Sequence, residues 1–316
     1  MGVVTLPVLI EAHAGETADD LDAARLETLF REHGAILLRG FDADVPRFER
    51  LARRLCSTAV VNESPGRVLL NGAGDVRSVD SGTDAFNLHP ELSREPWKPD
   101  AALFACLSPP GEGGETLVCD GVAVVEALPG WLRDALSPRR LVYPQPVWPE
   151  LLDFWLGTPT PDDALLAAPP PDCPYSFRWA NDRLWRVFSR PALHRPLFGD
   201  APAFGNFLLF ARFNNNRTGF PLLDDGSVVP DEWLIEIKRV ADAIAVPVTW
   251  QQGDVLILDN SRYMHGRTAI TEAAERRIAT FFGYVPFAPT NPEEPANARW
   301  RRRDFSPPLP PSLRSA

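Results

Sequence analysis

Asn-Leu-His-Pro-Glu at residues 87–91, together with Asn-Ser-Arg-Tyr-Met-His-Gly-Arg at residues 260–267, carries the strongest information about the fold of this chain. In extended backbone, side chains two residues apart point to the same side, so His89 and Glu91 face one way. The second stretch adds His265 from a distant part of the chain. Two imidazoles and one carboxylate can hold a metal on one face and leave three positions free, as in non-haem Fe(II) sites. The pattern therefore predicts a metal centre.

A histidine and a glutamate at this spacing occur by chance in many chains, so the neighbouring motifs decide the interpretation. Arg276 and Arg277 open a run of β-branched and aromatic residues that predicts a strand. Because adjacent strand residues face opposite sides, only one of the two arginines can point inward. A guanidinium there can bind a carboxylate through two hydrogen bonds. The Gly-Gly pair at 113–114 predicts a turn before a short strand, in which the Thr116 hydroxyl can bond the same carboxylate.

With these motifs, the sequence resembles the taurine dioxygenase-like (TauD/TfdA) Fe(II)/2-oxoglutarate-dependent oxygenases, and within them the subgroup that hydroxylates amino acids in natural-product pathways. The resemblance implies a mainly β fold with flanking helices around a double-stranded β-helix, a jelly roll of the cupin type. The blocks that carry it follow the expected order, at residues 33–41, 89–91, 109–116, 253–267 and 276–278.

The resemblance also implies roles for the residues of these motifs. His89, Glu91 and His265 become the iron ligands and the catalytic centre, and Thr116 holds 2-oxoglutarate. Arg277 is predicted to be the second residue that holds this co-substrate, and Arg276 is the alternative because the strand register is open by one residue. With Fe(II), 2-oxoglutarate and dioxygen as cofactor and co-substrates, the expected reaction oxidises an unactivated C–H bond and yields succinate and carbon dioxide.

Glu91 bears on the type of oxidation. Many relatives have aspartate at this position, and amino-acid-hydroxylating members include glutamate versions. Halogenating relatives replace the carboxylate by a small residue to admit chloride, so Glu91 favours hydroxylation. Desaturation or cyclisation by the same iron chemistry is the alternative. A non-catalytic, cupin-like metal-binding protein is an alternative of another class, although such a protein has no need of an arginine that binds an oxo acid.

The substrate is less constrained by the sequence. Arg212 and Asn214 share a face if residues 210–215 form a strand that leads towards the site, and they could bind a substrate carboxylate or amide. The resemblance implies a small-molecule substrate, an amino acid or a derivative, either free or tethered to a carrier protein.

Composition limits the remaining function classes. The chain has 316 residues with 45% hydrophobic content, enough for one large domain. The formal net charge of −10 disfavours a nucleic-acid partner, since phosphate binding requires a basic face. The four cysteines lack metal-site spacing and are too few for a disulfide framework, which favours the reducing cytoplasm. The apolar start, residues 1–10, lacks a basic region and is too short to span a membrane.

Local signals predict several elements outside the metal motifs. Thr17 begins a capping box that predicts a helix ending near His33, with Gly34 as its stop signal. Further helices are predicted at residues 46–55 and 231–245, and strands at residues 35–39, 101–107 and 116–119.

Proline is concentrated in two segments, and the chain has 33 prolines in all. Residues 143–174 cannot be regular helix or central strand throughout, because proline lacks a donor and restricts its neighbour. They are predicted to be an insertion in the single domain of residues 1–316 and a possible lid over the substrate. The tail, residues 288–316, is rich in proline and arginine and is predicted to be an extended, solvated extension.

Overall fold

The structure is a computed structural model that describes residues 7–64, 66–80, 82–272 and 276–311. Its strands are β1 (Val8–Glu11), β2 (Ala35–Arg39), β3 (Thr58–Ala59), β4 (Arg77–Ser78), β5 (Phe86–His89), β6 (Ala101–Ser108), β7 (Glu112–Gly113), β8 (Thr116–Asp120), β9 (Arg140–Pro146), β10 (Ser176–Ala180), β11 (Arg183–Pro191), β12 (Leu222–Leu223), β13 (Val246–Val248), β14 (Val255–Asp259), β15 (Tyr263–Arg267), β16 (Ile270–Glu272) and β17 (Arg277–Tyr284). Its helices are α1 (Ala23–His33), α2 (Val45–Leu55), α3 (Gly121–Ala127), α4 (Gly130–Leu136), α5 (Pro149–Leu156), α6 (Asp163–Ala167), α7 (Leu208–Phe213) and α8 (Asp231–Ile244), with 3-10 turns at Ala18–Asp20 and Arg299–Arg301.

Two sheets face each other at the centre of the fold. The major sheet has the order β1-β2-β14-β6-β17-β3, and β4 also pairs with β17. The minor sheet has the order β13-β8-β15-β5 and is antiparallel throughout. One buried cluster joins the inner faces, with Phe104 and Phe282 from the major sheet and Val118 and Tyr263 from the minor sheet. Two packed sheets with these crossed connections form the predicted jelly-roll core.

Helices cover the outer faces of both sheets. On the major sheet, Phe30 of α1 and Phe48 of α2 pack with strand residues such as Leu103. On the minor sheet, helices α3, α4, α7 and α8 enclose Cys119 and Met264 in a second cluster. The alternation of side chains along each strand sends neighbouring residues into the two clusters, which is how one strand serves both a helical layer and the central core. The predicted fold class, mainly β with flanking helices, is confirmed.

The first predicted helix is displaced at its start. The Thr17 capping box is present, but it caps the 3-10 turn, and α1 begins at Ala23 after a second cap at Asp22. Gly34 ends α1 with a φ of 66°, as its predicted stop role requires. The predicted strand at residues 35–39 is confirmed as β2. The helices predicted at residues 46–55 and 231–245 and the strands predicted at residues 101–107 and 116–119 are confirmed within one or two residues at each end.

The proline-rich residues 143–174 comprise the end of β9 and the helices α5 and α6. Strand β9 belongs to a separate sheet of order β10-β11-β9-β12. Leu151 and Trp155 of α5 join the central core, where Trp155 meets Trp300 edge to face at 6.5 Å between ring centroids. These prolines therefore limit the lengths of α5 and α6 without preventing either helix.

The tail differs from the expected solvated chain. Phe305 packs against the ring of Trp97 at 5.6 Å between centroids, and residues 307–310 are partly buried. Composition predicts the extended backbone, but the aromatic residue within the tail supplies the apolar surface that holds it against the protein. Residues 312–316 of the predicted tail and residues 1–6 of the N-terminal stretch lie outside the described residues.

Over the described ranges, no helix combines the length and the apolar character needed to cross a bilayer. Cys56, Cys106, Cys119 and Cys173 are all free thiols.

Candidate metal centre

The minor sheet brings the three predicted metal ligands together. His89 at the end of β5 is the direct cross-strand partner of His265 in β15. Cross-strand partners project from the same face of a sheet, and Glu91 follows His89 by two residues. One ligand atom of each of these three side chains lies within 4.8 Å of the others. The pairing of two strands thus assembles the triad that the sequence divides between distant segments.

His89 is prepared to act as a neutral ligand. Its Nδ1 lies 2.8 Å from the carbonyl oxygen of Asn87 and must donate to it, which leaves Nε2 with a free lone pair. Burial and the nearby His265 lower the pKa of His89 to about 3, so the ring stays neutral at physiological pH. The His265 ring lies 4.7 Å away between centroids. Its Nε2 lies 3.6 Å from Oε2 of Glu91, a separation that a shared cation can bridge.

Glu91 is buried beside a cation that the motifs did not reveal. Nη2 of Arg67 lies 3.4 Å from Oε1 and 3.5 Å from Oε2 of Glu91, and the Asn62 amide also donates to Oε1. Burial alone raises the pKa of Glu91, but the charge of Arg67 and hydrogen bonding by His265 outweigh it and hold the pKa well below its usual value. The group is therefore a carboxylate, as a metal ligand must be.

Asn260 fixes the backbone that carries Glu91. Its Oδ1 accepts the Glu91 amide at 2.7 Å, and its Nδ2 donates to the carbonyls of Glu91 at 3.1 Å and Pro99 at 2.9 Å. The next residue, Leu92, has a φ of 50°, a strained conformation for a bulky side chain. Asn260 therefore couples the end of β14 to the ligand segment. A buried asparagine directly after an apolar strand was the available sequence signal.

Substitution of Asn260 by alanine should weaken metal binding as well as stability. We expect a loss of about 2–4 kcal/mol in the free energy of unfolding, because three buried partners lose their bonds. Asn206→Ala is the matched control, since Asn206 is also buried and bonds the Ala192 carbonyl and the Leu208 amide. Chemical denaturation and Fe(II) titration of both variants check the prediction. Equal loss of iron affinity in the two variants would contradict the coupling.

The two candidate arginines lie in different environments. Arg277, the predicted co-substrate residue, is exposed at the start of β17. Arg276 is partly buried, and its Nε is buried without a hydrogen-bond partner. Burial and the charge of Arg267 lower the pKa of Arg276 to about 10, which reports a cation that lacks a counter-charge. The structure thus favours Arg276, the alternative, as the arginine able to receive a carboxylate.

Glycine makes room for this guanidinium. A Cβ atom on Gly114 would lie 3.2 Å from Nε of Arg276, and one on Gly113 would lie 2.2 Å from the Ala269 carbonyl oxygen. Gly113 and Gly114 have φ values of 73° and 71°, so a side chain is excluded at both by space and by conformation. The glycine pair therefore forms the predicted turn and also the wall beside Arg276.

Thr116 is buried on the strand that pairs with His265. It starts β8, in which Val118 is the cross-strand partner of His265, and side chains two residues apart share a face. The Thr116 hydroxyl accepts a hydrogen bond from Nε1 of Trp250 at 3.1 Å. No hydrogen bond donated by this hydroxyl is seen among the described residues, so its proton is available to an acceptor.

The predicted strand at residues 210–215 is wrong. The segment forms helix α7, in which Arg212 forms an ion pair with Asp231 at 2.6 Å. Asn214 caps the end of the segment and bonds β5: its Oδ1 accepts from the backbone and the side chain of Asn87 at 2.7 and 2.9 Å. A short apolar run suits a buried helix as well as a strand, and only its packing decides between them. Asn214 therefore holds the strand that carries His89.

A cavity of about 510 Å³ is lined by Leu92, which follows the ligand Glu91 in the chain, although none of the three metal ligands lines it. Asn62 lines this cavity and also bonds Glu91, which connects the cavity to the metal ligands. Four aromatic side chains and four charged side chains contribute to its walls. They are Trp97, Trp148, Trp300, Phe305, Glu63, Arg94, Glu95 and Arg186. The cavity can therefore take a small molecule that has both an apolar part and charged groups.

The donor set fits Fe(II). Two imidazoles and one ionised carboxylate on one face are the donors of a facial triad, and the guanidinium of Arg276, whose Nε is buried without a partner among the described residues, is suited to the far carboxylate of a chelating oxo acid. Arg67 and Asn62 donate hydrogen bonds to the Glu91 carboxylate from the protein side. These bonds hold the carboxylate in place and add no fourth metal ligand.

Comparison with known proteins agrees with this geometry. The family model described as "Taurine catabolism dioxygenase TauD, TfdA family" matches residues 6–281. Among solved structures, PvcB of Pseudomonas aeruginosa, described as an Fe, alpha-ketoglutarate dependent oxygenase from an isonitrile synthetic pathway, has a TM-score of 0.59 at 18% identity, covering 91% of this chain and 90% of that one. A taurine dioxygenase from Burkholderia xenovorans has a TM-score of 0.59 at 15% identity, covering 94% and 95%.

A third structure, AAD-2 in complex with Mn(II) and N-oxalylglycine, has a TM-score of 0.53 at 12% identity and covers 91% of this chain and 98% of that one. A search of curated proteins gave no significant match. At these identities, the structural neighbours establish the shared fold, and the family match extends over most of the chain.

Proposed function

We propose that this chain, which belongs to the TauD/TfdA family of Fe(II)- and 2-oxoglutarate-dependent dioxygenases, hydroxylates an unactivated C–H bond of an amino acid or a related small metabolite. The observation that carries this proposal is the triad of His89, Glu91 and His265 on one face, together with Arg276, whose Nε is buried and has no partner among the described residues. Family membership makes the chain an enzyme, so the non-catalytic cupin-like alternative is not retained.

In this proposal, each residue at the site has one task. His89, Glu91 and His265 hold Fe(II), which together with 2-oxoglutarate and dioxygen supplies the oxidising power. Arg276, in place of the predicted Arg277, and Thr116 hold the distal carboxylate of 2-oxoglutarate. Burial strengthens this contact, because a charge pair interacts more strongly where water is largely excluded.

The cavity walls support an amino-acid-like substrate. Charges of both signs are present, as Arg94 and the ion pair of Glu95 with Arg186, in which Nη1 of Arg186 lies 3.1 Å from Oε2 of Glu95. The four aromatic rings supply apolar contact area. A zwitterion with an apolar body matches this lining better than a dianion or a pure hydrocarbon does. A carrier-tethered substrate stays within the proposal, and so does a role in natural-product biosynthesis.

The segments around the cavity suggest how water is excluded. Trp148 and Leu151 of the proline-rich insertion and Phe305 of the tail all line the cavity. We propose that the insertion covers the bound substrate, as part of one oxygenase domain, because closing the site protects the oxidising chemistry from water. The free thiols favour the reducing cytoplasm as the location.

The product should carry one oxygen atom from dioxygen and no halogen. Glu91 fills the coordination position that a halide would need, so chloride or bromide should not enter the product even when abundant. The measurement is mass spectrometry of the product formed under labelled dioxygen with each halide present, after a substrate screen for succinate release. A halogenated product would overturn the proposal. Loss of two hydrogens would instead assign desaturation or cyclisation.

A further inference from the structure

A second cavity lies beside residues 98–100, in the segment that follows the ligand Glu91. It measures about 180 Å³, and its walls include Lys98, Arg190, His194 and Ser261. The chain has only two lysines, Lys98 and Lys238, among 32 basic residues. Lys238 pairs with Asp242 at 2.7 Å on the surface of α8, whereas Lys98 is only 9% exposed. A buried lysine in a chain that otherwise uses arginine calls for a physical explanation.

The two buried cations keep unused hydrogen-bond donors. Lys98 donates to the carbonyl oxygen of Gly205 at 3.3 Å, which uses one of its three N–H groups. Arg190 donates through Nη2 to the carbonyls of Glu95 at 2.9 Å and Pro96 at 3.2 Å, and its Nε is buried without a partner. Within the described ranges, neither cation forms an ion pair with a carboxylate.

The acidic groups nearby are mostly committed elsewhere. Asp100 and Glu294 both bind Arg301, at 2.9 and 2.6 Å. Asp259 accepts the amide of Ser261 at 2.8 Å. Glu293 lines the cavity from an exposed position, and Asp100 and Glu294 also line it. The two cations therefore lie near carboxylates without a direct ion pair among the described residues, which leaves N–H donors free for an anion.

His194 supplies no charge that could balance the two cations. Its Nε2 lies 2.6 Å from the carbonyl oxygen of Ser261 and donates to it. Burial and the charge of Lys98 lower the pKa of His194 to about 3, so the ring is neutral and adds no charge. Burial and the charge of Arg190 lower the pKa of Lys98 to about 7. Burial is the largest cause of both pKa shifts, and at Lys98 the carboxylates of Asp259, Glu293 and Asp100 act in the opposite direction.

We propose that the cavity between Lys98 and Arg190 binds a small oxyanion, a carboxylate or a phosphate, at a site separate from the metal centre. The unused N–H groups of the two cations donate hydrogen bonds to the oxyanion oxygens. The neutral ring of His194 forms part of the wall. The site is distinct in its residues, since it shares no lining residue with the 510 Å³ cavity and none of the metal ligands lines it.

The position of this cavity gives the bound anion a structural consequence. Ser261 lines the cavity and follows Asn260, which bonds the backbone of Glu91 and of Pro99. Lys98 lies on the same segment as Glu91. An anion that bonds Lys98 therefore stabilises the segment that presents the Glu91 ligand.

The test uses the two lysines as reporters in metal-free protein labelled with carbon-13 at the lysine side chains. Acetate and inorganic phosphate are titrated separately at pH 6.5. We expect either probe to shift the Lys98 signal saturably, while the Lys238 signal moves little. The probe that binds more tightly identifies the source of the oxyanion. Linear, equal shifts of both signals, or no shift at Lys98, would overturn the proposal.

Two variants and a pH series complete the design. Arg190→Gln should weaken binding by at least about tenfold, since a charged donor is lost. Glu293→Gln should tighten binding, because it removes the nearest exposed carboxylate, and it serves if Arg190→Gln fails to fold. Binding should weaken as pH rises above about 7, where Lys98 loses its proton. Unchanged binding in a folded Arg190→Gln protein, or at pH 9, would contradict the assignment. Metal-free protein keeps this result independent of the proposed oxygenase activity.

Discussion

Replacing His265 by alanine is expected to abolish the visible charge-transfer band that Fe(II) and 2-oxoglutarate give together without oxygen. The band requires a chelated 2-oxo acid on iron, and three protein ligands on one face leave the open positions for this chelate. His265 supplies one of the ligand atoms within 4.8 Å of the others. Turnover should fall by more than about 100-fold, because even loss of an outer partner of a metal ligand costs roughly 10- to 100-fold. Anaerobic titration and succinate release measure the two effects.

Two further alanine variants are compared with His265→Ala: one at a histidine outside the triad and one at the second histidine ligand. His33→Ala makes the same chemical change at a helix end, on a side chain that is 35% exposed, and should leave the band intact. His89→Ala should behave like His265→Ala. Persistence of a normal band in either triad variant would show that the metal lies elsewhere.

The triad was predictable because its information is local. His89 and Glu91 share a side through strand alternation alone, and the distant His265 lies in a motif that the family resemblance identifies. The motifs could not predict which residues donate hydrogen bonds to the Glu91 side chain. Asn62 and Arg67 reach Glu91 from a loop 29 and 24 residues earlier, and no periodic pattern marks residues that meet only in the folded chain. Buried polar contacts of this kind depend on the packing of loops, which sequence patterns describe poorly.

The choice within the arginine pair is open for a different reason. Alternation correctly requires that one of Arg276 and Arg277 point inward, but it does not say which one. The pairing of β17 with β6 changes register between Arg277 and Ile278: Arg277 faces Ser108, and Ile278 faces Cys106. Such a bulge adds a residue to one strand and redirects side chains near it. Nothing in the neighbouring sequence reveals this bulge, so the sequence alone could not choose between the two arginines.

Arg276→Lys is expected to weaken 2-oxoglutarate binding by about 10- to 100-fold, equivalent to roughly 1.5–3 kcal/mol for a hydrogen bond to a charged group. Lysine keeps the charge but loses the planar pair of donors that matches a carboxylate. Iron binding without co-substrate should change little. Arg277→Lys is the matched control and should change co-substrate affinity by less than about twofold, because Arg277 is exposed. Anaerobic 2-oxoglutarate titrations of the two Fe(II)-loaded variants provide the comparison.

A second readout separates a binding arginine from a structural one. Among the described residues, Nε of Arg276 has no hydrogen-bond partner, and burial lowers the pKa of this guanidinium to about 10, so its charge is a cost to the protein without co-substrate. Arg276→Met should therefore leave the thermal stability of the metal-free protein equal or higher, while it abolishes the stabilisation that 2-oxoglutarate gives the Fe(II)-loaded protein. A structural arginine would show the opposite, a clear loss of stability with the co-substrate effect retained. That result, or a larger effect at Arg277, would return the co-substrate contact to the exposed residue.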